Sequence, residues 1–121
     1  MGKFRFQDLE IWKDAIKITH QLFDIADQLE EIKKFRFAEQ LRSAALSISN
    51  NIAEGSGSSS KKDFASFLNI SRRSTFENAN MILLFASRGL LEAKLCDGIS
   101  DSLDVLCRRI TRFQRVLLGS P

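Results

Sequence analysis

The chain has 121 residues, with 18 Lys and Arg against 15 Asp and Glu, and 44% hydrophobic residues. That length suits one domain, residues 1–121, with a proper core, and the charge balance is ordinary for a soluble globular protein. No apolar run is long enough to cross a bilayer, so no membrane contact is expected.

Proline occurs once, as Pro121, and there are six glycines, ten phenylalanines and no tyrosine. With so few breakers, long helices are favoured. The formal charge of +3 is unevenly placed, with ten Lys and Arg against six Asp and Glu in residues 61–121. This permits nucleic-acid binding without establishing it.

The first predicted helix covers about 8–30. Ile11, Ala15, Ile18, Leu22, Ile25, Leu29 and Ile32 alternate at spacings of four and three, a heptad seam. Trp12, Ile16, Phe23 and Ala26 form a second stripe beside it, wide enough to touch two neighbours. Asp8 is the expected N-cap. Phe4 and Phe6, ahead of the helix, are expected to fold back on the bundle end.

The second helix covers about 36–54, with Gly55 as its expected C-terminal cap. Its apolar stripe, Leu41, Ala45, Ile48 and Ile52, is flanked by Ser43, Ser47, Asn50, Asn51 and Glu54. Gly55–Ser60 reads as a flexible loop. It lacks the Gly-Lys-Ser/Thr ending of a nucleotide-binding loop.

The third helix covers about 61–89, capped by Ser60. Its stripe runs Phe64, Phe67/Leu68, Ser71, Ser74/Thr75, Asn78, Met81/Ile82 and Phe85, so its middle is small and polar. The fourth covers about 99–118, on the seam Cys96, Ile99, Leu103, Leu106, Ile110, Phe113 and Leu117. No segment shows strand alternation. Four amphipathic helices on short connections make an all-α, antiparallel up-down four-helix bundle the expected fold.

Chemistry is sparse. Cys96 and Cys107 stand roughly 16 Å apart on a helix, too far for an internal disulfide. They read as reduced, semi-buried thiols of a cytoplasmic protein. His20 is alone, so no metal site and no cofactor are expected. No signal peptide is visible: the basic Met1–Phe6 is followed by no apolar h-region.

Ser43, Ser47, Asn50 and Asn51 are expected to face Ser71, Ser74, Thr75 and Asn78. They offer no base or metal ligand, so they read as a register-setting polar seam rather than a catalytic site. Glu54 and Glu77 are expected to pair with arginines, with Arg42, Arg72 and Arg73 as candidates, or to bind backbone amides at a helix end, rather than to pair with each other.

The strongest surface signal is Arg108, Arg112 and Arg115 on one helix face, with Arg109 beside them. Arg72, Arg73, Lys61 and Lys62 can extend it. It has two readings. One is phosphate contact along RNA or DNA. The other is a solvated face whose cations complement the helix dipole. No aromatic is interleaved on that face of the helix, which argues against base stacking.

The run Gln40-Leu41-Arg42-Ser43-Ala44-Ala45, then Ser47-Ile48 and Asn51-Ile52-Ala53-Glu54-Gly55, resembles a motif of a bacterial protein family. This is the four-helix-bundle family first named for reading frames in intervening sequences of 23S ribosomal RNA genes. Phe6-Gln7-Asp8-Leu9 with Trp12 and Ala15 resembles its opening. Lys62-Asp63-Phe64, Phe67-Leu68, Ser74 and Glu77 resemble its third helix. Two positions depart. Ser49 stands where a proline is common, implying a smoother second helix. Phe35-Arg36-Phe37-Ala38-Glu39 replaces a Pro-x-x-Glu start, which blurs the end of the first helix.

The resemblance implies an up-down bundle that forms a homo-oligomer, commonly a five-membered ring. A related bundle is an accessory factor to reverse transcriptases and binds nucleic acid. It implies no enzymatic activity. Ser47, Asn51, Glu54, Gly55, Phe64, Ser74 and Glu77 would be architectural or interfacial.

Overall fold

A computed structural model describes residues 3–119. Its element order is a short 3-10 turn, Arg5–Asp8, then α1 Glu10–Glu31, α2 Phe35–Ser56, α3 Lys61–Ser87 and α4 Ala93–Leu117.

The four helices form an antiparallel bundle, and side-chain contacts give the register. Along α2, Gly55 lies against Phe64 and Phe67, Ser47 meets Ser74, and Phe37 stacks on Phe85. Partner numbers rise as α2 numbers fall. The α3–α4 pair runs the same way, from Phe64 against Phe113 to Thr75 beside Leu103. In the α1–α4 pair, Asp14 meets Arg109 while Gln21 lies beside Asp101.

Both heptad seams are core. Ile11, Ala15, Ile18, Leu22, Ile25 and Leu29 of α1 are buried, as are Cys96, Ile99, Leu103, Leu106 and Ile110 of α4. Each fully buried Leu or Ile contributes about 1.5–3 kcal/mol. Phe113 and Leu117 are half-buried against that core, and Ile32 is 47% exposed, because α1 ends at Glu31 and Ile32 begins the turn. Phe6 stacks on Phe4 and packs at a tilt against Trp12, so the N-terminal aromatics do fold back.

Helix ends differ from expectation at several points. Asp8 lies in the 3-10 turn and Leu9 is the N-cap of α1. α4 starts at Ala93 rather than Ile99, because Cys96 carries its buried seam back a turn and the helix tolerates Gly98 within it. α3 stops at Ser87, with Gly89 at φ 76 taking the left-handed position that ends it. Ser60 caps α3 as expected, accepting from the Asp63 amide at 3.0 Å.

α2 runs smoothly through Ser49, which is buried where a proline would have interrupted the ladder. Gly55 does not cap it. The helix continues to Ser56, and Gly55 sits inside because a Cβ there would come 2.7 Å from the Phe67 Cβ. α1 ends without a glycine: Lys33 adopts φ 64 in the same position that Gly89 takes after α3.

Candidate nucleic-acid interface

The polar seam is real but narrower than expected. The Ser47 and Ser74 hydroxyls meet at 2.9 Å across α2 and α3. Asn51 donates to the Ser47 carbonyl at 2.8 Å and to its hydroxyl at 3.1 Å. Ser71 donates to the Ile48 carbonyl at 2.7 Å, and Asn78 to the Ala44 carbonyl at 2.9 Å. Small side chains let backbones approach closely enough for these cross-helix bonds. Ser43 and Asn50 are exposed instead, and Thr75 bonds within its own helix, to the Arg72 carbonyl. The seam hydroxyls thus bond backbone carbonyls or neighbouring seam side chains, and His20 lies exposed on α1.

The two glutamates are separate. Both are exposed; Glu77 lines a groove of about 560 Å³ with Gln40, Ser43 and Asn80, while Glu54 lies a few turns away near the end of α2. Neither forms an ion pair with the arginines expected for it. Arg42 bridges Asp27 and Glu30 of α1 instead, at 2.7 Å each. Those bonds raise its guanidinium above the ordinary pKa, with desolvation opposing them. Arg42 thereby ties α2 to α1. The Gly55 motif segment is held at the bundle's other end, where Arg5 donates to the Ser56 carbonyl.

The arginines of α4 divide by partner. Arg109 turns toward α1 and pairs with Asp14 at 2.5 Å, so its charge is largely neutralised. Arg108 pairs with Asp104 one turn back, at 3.2 Å. Arg112 and Arg115 have no ion-pair partner among the described residues. With Arg108, Thr111 and Val116 they border a shallow groove of about 520 Å³. Lys61 and Lys62 are exposed at the start of α3, at the end of the bundle where Phe64 packs on Phe113. They therefore share that end with Arg112 and Arg115.

Arg72 and Arg73 do not act together. Arg73 is exposed, and successive helical positions diverge by about 100°. Arg72 is half-buried, its guanidinium carbon 5.9 Å from the centroid of the Phe76 ring. Phe76, which sequence reasoning passed over, borders the α3–α4 groove beside Cys107. The signal was available: an aromatic four residues after an arginine shares its helix face.

Both cysteines are free. Among the described residues no helix is long and apolar enough to cross a membrane, and no group of three or more His, Cys, Asp or Glu is placed to hold a metal ion.

No curated protein matches the chain. A family model described as 23S rRNA-intervening sequence protein matches residues 7–112, and the chain belongs to that family.

Proposed function

We propose that the protein is a non-enzymatic, self-associating bundle that binds nucleic acid, RNA in the first instance, through the basic face of α4 and the start of α3. The reading is carried by Arg112 and Arg115, two exposed guanidiniums that border a groove and have no carboxylate partner among the described residues. Such groups contact phosphate at little desolvation cost and without sequence preference. Arg108, Lys61 and Lys62 extend the contact, and the family's name links it to ribosomal RNA genes. The free thiols fit a cytoplasmic setting.

Self-association is favoured by apolar surface left uncovered at the opposite bundle end. Ile32, Phe35 and Leu84 there are 47%, 55% and 51% exposed. A ring of five copies is the expected assembly. Light scattering at micromolar concentration should give several chain masses; a monomer would count against it.

Filter binding of RNA across a salt series tests the main reading. The logarithm of the affinity should fall linearly with the logarithm of salt, and Arg112→Glu with Arg115→Glu should weaken binding and flatten the slope. A flat salt response in the unaltered protein, or no binding at low salt, would sink it.

The same apolar end supports a second reading, a scaffold for a protein partner such as a reverse transcriptase. Capture of that partner unaffected by the two arginine substitutions, with no RNA bound, would favour it.

A further inference from the structure

Beside the basic face stands an aromatic that a phosphate-binding surface does not need. Phe76 is 62% exposed and lies in the groove between α3 and α4. An isolated exposed Phe means little. This one has the Arg72 guanidinium 5.9 Å from its ring centroid, which presents a paired cationic and aromatic surface.

Cys107 borders both the groove at Phe76, of about 360 Å³, and the groove of Arg112 and Arg115, of about 520 Å³. The two grooves therefore meet. From Cys107 to Arg115 is about 12 Å along the helix axis. The surface is also graded in charge. Asp101 and Asp104 line the Phe76 end, while Arg112 and Arg115 line the other.

We propose that this joined groove selects unpaired nucleic-acid strands, with a base stacked on Phe76 and the neighbouring phosphates on Arg112 and Arg115. The inference rests on the nucleic-acid reading above and narrows its ligand to a single strand.

The charge gradient supports it. Asp101, which has no ion-pair partner among the described residues, repels phosphate, Asp104 is already paired with Arg108, and Arg112 and Arg115 attract phosphate. A base at the aspartate end offers amino groups that carboxylates accept. A duplex fits poorly. Its bases are already stacked on one another, leaving none for Phe76. Its regular rows of phosphate would also run past Asp101 and Asp104. A single strand can turn its base one way and its backbone the other.

The test compares a labelled, unstructured RNA oligonucleotide, an RNA duplex of the same length and a DNA strand of the same sequence, by fluorescence anisotropy at one salt concentration. Phe76→Leu keeps an apolar side chain but removes the ring; Phe76→Trp keeps a stacking face. Phe76 is exposed, so neither change disturbs the core.

The single strands should bind more tightly than the duplex. Phe76→Leu should weaken single-strand binding about fivefold or more, the low end for one stacked base. Its salt slope and its duplex binding should be unchanged, and Phe76→Trp should bind like the unaltered protein. Equal affinity for single-stranded DNA would still support the proposal, placing recognition in base and phosphate. Duplex binding as tight as single-strand binding, or Phe76→Leu without effect, would overturn it while leaving phosphate contact intact. Binding to none of the three would overturn the nucleic-acid reading itself.

Discussion

Gly55 of α2 and Phe67 of α3 approach so closely that a single added carbon cannot fit between them. A Cβ on Gly55 would stand 2.7 Å from the Phe67 Cβ and 2.8 Å from a ring carbon of Phe64. The Phe67 Cβ is tied directly to its backbone, so relief requires the helices to separate. Alanine is favoured over glycine in a helix by about 1 kcal/mol. Overpacking costs about 1–3 kcal/mol. Gly55→Ala is therefore expected to destabilise by up to about 2 kcal/mol. Gly98, inside α4 with nothing within 4 Å of an added Cβ, supplies the opposite case. Gly98→Ala should stabilise by about 0.5–1 kcal/mol. Urea melts of the two variants should differ in sign, and a stabilised Gly55→Ala would show that the close approach does not matter.

The α1–α2 turn offers a stabilising change. The Lys33 amide bonds the Glu30 carbonyl at 2.9 Å and the Lys34 amide bonds the Leu29 carbonyl at 2.8 Å. After α3, the Gly89 amide bonds Ala86 at 2.9 Å and the Leu90 amide bonds Phe85 at 3.0 Å. These are the same helix-ending motif, built once on lysine and once on glycine. Lysine pays a left-handed penalty of roughly 1 kcal/mol that glycine escapes. Lys33→Gly should raise the thermal midpoint, and Gly89→Ala should lower it. An unchanged or lower midpoint for Lys33→Gly would mean that glycine's extra freedom in the unfolded chain outweighs the relief.

Much of this architecture was legible in the sequence because periodicity reports burial directly. The seams through Leu22 and Leu103 are core, and the small polar run of α2 does meet its counterpart in α3. Two things were not legible. Gly55 reads equally as a cap or as a contact, since either use needs no side chain; only the position of Phe67 decides. The arginines of α4 share a face by spacing, but whether each is free depends on α1 and on the preceding turn. Asp14 claims Arg109 and Asp104 claims Arg108, and the first pairing spans most of the chain.

The polar seam makes a stability prediction of its own. Asn78 is fully buried and donates to the Ala44 and Ser74 carbonyls, at 2.9 and 2.8 Å. Asn78→Ala removes both bonds and leaves a void, so a loss of about 1–3 kcal/mol is expected. The Ser47–Ser74 contact should give a coupling of about 0.5–1.5 kcal/mol in a double-mutant cycle. Additive single changes would show that the hydroxyls act independently.

The thiols should behave differently from each other. Cys96 is buried, and that burial raises its pKa, with the charges of Asp97 and Glu92 adding to the effect. Cys107 is only half-buried. A thiol reagent should modify Cys107 in the folded protein and Cys96 only after unfolding. Burial also has a pH consequence. The folded chain holds the Cys96 proton more tightly than the unfolded chain does. Its contribution to stability is complete below the ordinary thiol pKa of about 8.5 and declines as pH rises through that value toward the raised one. Stability should therefore fall more steeply above that pH in the unaltered protein than in Cys96→Ala. Parallel curves would remove Cys96 as the cause.

Arg109 and Arg112 separate structure from binding on one helix. Arg109 is tied to Asp14, and the pair is partly exposed, with side-chain exposures of 56% and 32%. Losing it should change stability by no more than about 1 kcal/mol. Because Asp14 already neutralises its charge, Arg109→Ala should also leave the salt slope of RNA binding nearly unchanged. Arg112→Ala should reduce that slope by roughly one unit, as expected for a lost phosphate contact. The informative variant is Asp14→Asn. It releases Arg109 without adding a charge of its own, so it should tighten RNA binding and steepen the salt dependence. If Asp14→Asn weakens binding instead, Asp14 must be positioning Arg109 for phosphate rather than neutralising it, and the division between a structural and a binding arginine would be wrong.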